Sequence, residues 1–292
     1  MAQSPNLASP AVIAALLKRH GIRPNRRWGQ NFLADANLLG KVTDAAELTP
    51  ADAVLEVGPG LGGLTRAVAA VAGRVLAVEV DPALAGVLRA ETVSDLENVR
   101  ILRADFLSLD LPHVLPESLG SPPYVVVANI PYSITTPLIG RLLEHAGLFS
   151  RAVLMVQREV AERITAAPGT SDYGSLTLYV NLYAQAKRIA LVSKKAFVPA
   201  PEVDSAIIRL DLRPSALFPE TTPSRYLSVV HASFQQRRKN LGNSLTGPPL
   251  NWTREQAQKA LYEAGIDPNR RGETLSPEEF ARIAMEFPQE TP

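Results

Sequence analysis

The 292-residue chain contains no cysteine. Disulfides and thiolate metal sites are therefore excluded, which fits a reducing compartment, and no metal is expected. No apolar run approaches the ~18 residues of a membrane-spanning helix. The N-terminus also lacks a charged start followed by an apolar core, so neither a span nor a secretion signal is expected. The expected location is the cytoplasm. Internal repeats, heptad arrays and low-complexity tracts are missing too, which excludes solenoids and long coiled coils.

Apolar residues make up 46% of the chain, ample for the core of one large domain and a small one. The net charge of +1 hides an asymmetry: residues 51–150 hold 6 Lys and Arg against 11 Asp and Glu. Positive charge lies outside that half in local clusters, Arg26-Arg27, Lys187-Arg188, Lys194-Lys195, Arg237-Arg238-Lys239 and Arg270-Arg271. An ordinary solvated surface explains any single cluster. Together they point to a polyanionic partner such as nucleic acid.

The chain is organised around the segment 54–65, Val-Leu-Glu-Val-Gly-Pro-Gly-Leu-Gly-Gly-Leu-Thr. An apolar run ends in Gly58, Gly60, Gly62 and Gly63, and an amphipathic segment, 64–71, follows. That pattern predicts a buried strand, a tight turn and a helix start, where an α/β sheet binds a nucleotide-like ligand. Gly58, Gly60 and Gly63 alone fit the dinucleotide pattern G-x-G-x-x-G. Charge decides otherwise: Glu56, at the mouth of the turn, repels a pyrophosphate and attracts a cation. S-adenosylmethionine has no phosphate and carries a sulfonium and an ammonium, so it is preferred to NAD. A second strand, 74–79, ends in Glu79, 21 residues after Gly58, where a carboxylate can accept ribose hydroxyls. A third, 99–104, is followed by Asp105, placed to contact an adenine edge.

Ser9-Pro10 opens a helix carrying Val12, Ile13, Leu16 and Leu17, and Gly21 ends it. In the loop 26–33, packing accounts for Trp28 and Phe32 but not for Gln30 and Asn31. Such amides can bind the amino-acid end of S-adenosylmethionine. Segment 35–48 reads as a helix before the first strand, and Asp81-Pro82 caps one running to Thr92.

A fourth strand, 124–128, delivers Asn129-Ile130-Pro131-Tyr132 to the carboxyl edge of the sheet. An exocyclic base amine is a poor nucleophile because its lone pair is delocalised into the ring. The amide oxygen of Asn129 and the carbonyl of Ile130 can accept its two hydrogens and favour a pyramidal nitrogen. Pro131 fixes the backbone, and Tyr132 offers a stacking face. An ordinary strand exit accounts equally well for these four residues alone; their position after the glycine turn and two acids favours chemistry.

Beyond it the pattern predicts a helix at 136–145, a strand at 152–156, a helix at 158–166 and a mobile polar loop at 168–173. Segment 176–183 reads as core. Strands at 188–192 and 206–212 form a closing antiparallel pair around the loop 194–205, from which Phe197 either projects as a second base platform or is buried. Residues 214–223 read as a linker, and helices follow at 226–232 and 254–264. Ser276 with Glu279 forms a capping box for a final helix. If the segment 234–245 is helical, its three consecutive cations fan over about 200° and at least two reach solvent or a partner.

The chain resembles the ribosomal RNA adenine N6-dimethyltransferases, in particular the small-subunit branch. The residues that carry the resemblance are Gly29-Gln-Asn-Phe-Leu33, Glu56-Val-Gly-Pro-Gly-Leu-Gly62, Glu79, Asp105, Asn129-Ile-Pro-Tyr132, Phe197 to Ser205 and Phe234 to Leu241, all in the family's order. Ile130 stands where the family usually has Leu, and Ala200 interrupts a run usually written with three prolines. The resemblance implies a seven-stranded Rossmann-like α/β methyltransferase sheet in residues 1–213, with an N-terminal helical extension. It implies a helical RNA- or ribosome-binding domain in 214–292. The implied reaction is S-adenosylmethionine-dependent dimethylation of two adjacent adenosines near the 3′ end of small-subunit rRNA, by a monomer with a part in ribosome assembly. Asn31 and Leu33 would touch the methionine end of the cofactor, and Gly58 and Gly60 would lie under it beside Glu56. Glu79 would hold the ribose, Asp105 the adenine, and Asn129 the transfer point. Asn129, Pro131, Tyr132 and Phe197 would serve catalysis; Arg26, Arg27, Arg237, Arg238 and Lys239 would hold RNA, free or in an assembling particle. Three alternatives stand beside this one: a large-subunit rRNA methylase, a DNA adenine methylase, and a non-enzymatic assembly factor that kept the fold.

Overall fold

The computed structural model of the protein describes residues 6–24, 29–236 and 238–287. Arg26, Arg27 and Arg237 lie outside the described residues. The chain divides into two compact units, residues 1–161 with 187–214, and residues 162–186 with 215–292.

The first unit is built on strands β1 (Ala53–Val57), β2 (Arg74–Glu79), β3 (Val99–Arg103), β4 (Tyr124–Asn129), β5 (Phe149–Gln157), β6 (Ala184–Val192) and β7 (Ser205–Leu212). Their order across the sheet is 3-2-1-4-5-7-6. The first five run parallel; β7 is antiparallel to β5, pairing Ser205 with Gln157. Val54, Leu55 and Val57 of β1 and Tyr124 to Ala128 of β4 are all buried, as the near-continuous apolar runs of a sheet covered on both faces require. Strand order reverses between β1 and β4, which opens a crevice outside their carboxyl ends.

Helix Ala36–Ala46 covers one face. The Asp35 carboxylate caps it by accepting from the N–H groups of Asn37 and Leu38, and Leu38, Leu39 and Val42 pack with Val54, Val68, Val125 and Val153. The first helix, Pro10–Arg19, packs Ile13 and Leu17 against Phe32, Leu61, Leu84 and Val87. The helix capped by Asp81 is α-helical over Pro82–Val87 and continues as a π-helical turn, Leu88–Thr92. One pairing has no counterpart in the sequence reading. Phe32–Leu33 forms a two-residue antiparallel ladder with Phe197–Val198, which sets Leu33 opposite Phe197.

The second unit is helical: Ser175–Tyr183, Pro223–Phe234, Leu241–Ser244, Arg254–Glu263 and Pro277–Met285. Its membership departs from a division at 213/214, because residues 162–186 belong to it. The reason is apolar: Leu178 and Leu182 are buried with Tyr226, Val229, Leu261 and Phe280. The expected mobile loop is pinned. Gly169 N–H donates to the Glu273 carbonyl at 2.7 Å, and the buried Tyr173 donates its hydroxyl to the Leu275 carbonyl at 2.8 Å. The expected linker is also tied down, since Leu217 N–H donates to the Leu182 carbonyl at 2.8 Å and the Phe218 ring lies 5.5 Å from that of Tyr226. The capping box forms, with the Ser276 hydroxyl accepting from Glu279 N–H and the Glu279 carboxylate from Ser276 N–H.

Arg238 and Lys239 are not helical. Helix Pro223–Phe234 ends before them, and Asn240 caps Leu241–Ser244 after them by accepting from Asn243 N–H. Arg238 and Lys239 stand exposed on the turn between, where Lys239 N–H donates to the Gln236 carbonyl at 2.9 Å.

Candidate active site

The turn after β1 holds Gly58 at φ 71°, Gly60 at φ 59° and Gly62 at φ 90°, a region that favours glycine. Gly60 is required for a second reason: a Cβ there would lie 3.1 Å from the Phe32 ring. The main chain therefore forms a bare floor to the crevice. Asn31, Leu33, Glu56, Gly58 and Gly60 line it from one side, and Glu79, Asp105 and Asn129 from the strand ends. The cavity, with the open solvent at its mouth, holds about 980 Å³ of atom-free space.

Its acids are held in three ways. Glu56 is 1% exposed, and its Oε2 has no hydrogen-bond partner. Burial pushes its carboxyl up to about 8, the Thr65 hydroxyl opposes this, and the Glu79 charge adds to it. Glu79 bridges turn and strand end: Oε2 accepts from Gly60 N–H at 3.1 Å and Oε1 from Asp81 N–H at 2.9 Å. Burial raises its pKa and those two N–H groups oppose the rise. Asp105 caps the short turn Phe106–Ser108 by accepting from Leu107 N–H at 2.9 Å. Among the described residues no Lys, Arg or His lines the cavity.

At the end of β4 the Asn129 amide is oriented without ambiguity. Its Nδ2 donates to the Asn31 carbonyl at 2.9 Å. Only the NH₂ group can face a carbonyl, so Oδ1 points away from that contact, free to accept. Asn31 in turn donates its Nδ2 to the Gly29 carbonyl at 3.1 Å. Ile130 N–H donates to the Met155 carbonyl of β5 at 3.1 Å. The half-buried Tyr132 joins its hydroxyl to Ser205 Oγ at 2.7 Å.

Phe197 is the departure. It is 4% exposed, packed with Val127, Val153, Met155 and Ile207, and absent from the cavity lining. The ladder with Leu33 holds it in the core, and it does not project into this cavity. Arg238 and Lys239 belong to the second unit. Sequence reasoning missed three contributors. Leu7 and Ile13 line the cavity, although Ile13 read only as the buried stripe of a helix. Asp81 read only as a cap; it is also buried, donates its N–H to Glu79 and accepts from Gln30 Nε2 at 2.8 Å.

A cavity with three carboxylic acids, a glycine floor and no cation on its lining suits a cationic ligand without phosphates. The orphaned Oε2 of Glu56 wants a donor. These residues fit S-adenosylmethionine and not a dinucleotide, and with this strand order they define an S-adenosylmethionine-dependent methyltransferase of the α/β class. Within that class the chain belongs to the ribosomal RNA adenine dimethylase family, whose description matches residues 21–289. It is 47% identical to ribosomal RNA small subunit methyltransferase A of Pelotomaculum thermopropionicum, over 96% of this chain and 97% of that one. The protein of the same name from Shouchella clausii is 43% identical over 96% and 95%. Among solved structures, a dimethyladenosine transferase from Plasmodium falciparum superposes with a TM-score of 0.73 at 26% identity, covering 86% of this chain and 95% of that one. The 23S rRNA methyltransferase ErmE superposes at 0.65 with 31% identity, over 89% and 100%.

Proposed function

We propose that the protein dimethylates the N6 amines of two adjacent adenosines near the 3′ end of small-subunit ribosomal RNA. S-adenosylmethionine, when bound, supplies the electrophilic methyl group. The observation that carries the reading is the fixed amide of Asn129. With Nδ2 tied to the Asn31 carbonyl, Oδ1 accepts one hydrogen of the target amine. The carbonyl of Ile130 accepts the other, and the nitrogen lone pair turns toward the methyl group. Tyr132 supplies the face on which the base rests. Glu56, Glu79 and Asp105 hold the ammonium, ribose and adenine ends of the cofactor, with Asn31 and Leu33 at the methionine end over the floor of Gly58 and Gly60.

The small-subunit substrate is favoured over a large-subunit one by relatedness: 43–47% identity to the two small-subunit methyltransferases against 31% to ErmE. Exposed Arg238 and Lys239 in the second unit suit phosphate contacts, which orient RNA and leave base choice to the pocket. The substrate is free rRNA or an assembling particle, met by a monomer in the cytoplasm; no helix of the described residues is long and apolar enough to cross a membrane.

The test is mass spectrometry of small-subunit rRNA from cells lacking the gene, complemented with wild type or Asn129→Ala. Wild type should restore dimethyladenosine. Asn129→Ala should lose about a hundredfold or more in turnover, by analogy with removing one preorganised hydrogen-bonding group, while RNA binding persists. Near-normal turnover would transfer the whole role to the main-chain carbonyl. Modification of large-subunit RNA instead would replace the substrate assignment.

A further inference from the structure

We propose that Ser205 is a positioning residue for methyl transfer, its hydroxyl holding the Tyr132 ring in place as the platform for the target base. This rests on the reading of Asn129–Tyr132 as the loop that receives that base.

The geometry begins with burial. Ser205 is fully buried, and a buried hydroxyl without a partner is costly. Its Oγ meets the Tyr132 hydroxyl at 2.7 Å. That contact lies at the far end of the tyrosine side chain. At the near end the main chain is fixed by the Ile130 N–H bond to Met155 and by the constrained φ of Pro131. The side chain is thus held at both ends, and the position of its ring is set before any base arrives.

The anchor itself cannot drift. Ser205 opens β7 and pairs with Gln157 at the carboxyl end of β5, whose Met155 pairs with Asn129. The preceding Asp204 is tied twice: its carboxylate accepts from Lys194 N–H at 2.9 Å, and its carbonyl accepts from Arg158 N–H at 3.0 Å. Ser205 therefore transmits the position of the sheet edge to the ring. A platform ordered in advance saves the base the cost of ordering it on arrival, a gain that appears in turnover more than in cofactor affinity.

The test is a double-mutant cycle of Ser205→Ala and Tyr132→Phe, with single-turnover methylation of small-subunit RNA, calorimetry of S-adenosylmethionine binding and thermal unfolding as readouts. Each single change breaks the same bond and should slow methyl transfer roughly three- to tenfold, the worth of one hydrogen bond. Cofactor affinity should be unchanged, and the double variant should be no slower than either single one. Tyr132→Phe at wild-type rate, or single effects that multiply, would overturn the assignment. Should Ser205→Ala unfold, Tyr132→Phe decides alone, because it keeps both the ring and the serine. Tyr132→Ala separates the two readings. If that variant is fully active, the reading of Tyr132 as the base platform falls and Ser205 with it; if it is inactive while the cycle is additive, only Ser205 falls.

Discussion

At the scale of the residue, the cavity is a contest between burial and charge. Glu56 sits where a carboxylate is hard to ionise, with the neighbouring Glu79 adding to the difficulty. Burial holds its folded carboxyl up at about 8, above the ordinary 4.5 of a solvated glutamate, so the folded state holds a proton that the unfolded chain releases. Its contribution to stability is complete below about pH 4.5 and lost as pH rises through about 8. Unliganded Glu56→Gln should therefore lose less stability than wild type between those limits, measured by urea unfolding across the range. A cation in the cavity favours the ionised form. Binding of S-adenosylmethionine at pH 7 should then release protons, read by calorimetry in buffers of different ionisation enthalpy, and Glu56→Gln should abolish the release. Equal heats in all buffers for wild type would show that Glu56 keeps its proton.

At the scale of the element, the parallel strands, the glycine turn and the Ser276 capping box were legible because each is a local pattern. A run of apolar residues, a spacing of glycines and a Ser three before a Glu act within a few positions. The acids at the ends of β1 and β2 were legible for the same reason. Phe197 was not: its burial depends on a ladder to Phe32–Leu33, more than 160 positions earlier, and two-residue pairings carry no periodicity. Phe197→Ala should cost about 3–5 kcal/mol of stability, as large core truncations do. Denaturant unfolding checks it; unchanged stability with lost activity would return the ring to the substrate. The basic segment misled for another reason. Arg and Lys are good helix formers, but Asn240 starts a new helix at Leu241 and leaves Arg238 and Lys239 on a turn. Replacing Arg238 and Lys239 by Ala should weaken binding to small-subunit particles and flatten its log–log salt slope by roughly 0.7–0.9 per lost phosphate contact. Wild-type affinity and slope would make them plain surface.

At the scale of the whole molecule, the two units are interleaved in sequence, and the core of the helical one draws on both of its segments. A chain cut after residue 213 would keep Tyr173, Leu178 and Leu182 without Tyr226, Val229, Leu261 and Phe280. Such a truncation should bind a hydrophobic dye and self-associate, and changing Leu178 and Leu182 to polar residues in it should relieve both. A monomeric, dye-silent truncation would show that the first segment finds cover without the second. The same interleaving sets a schedule for synthesis. The segment ending at residue 186 leaves the ribosome about a hundred residues before Phe280 and Ile283, so at roughly 5–20 residues per second its apolar face waits about 5–20 s for its partners. During that interval the newborn chain offers a transient ligand to chaperones, and slow codons placed between residues 187 and 285 should lengthen its dependence on them.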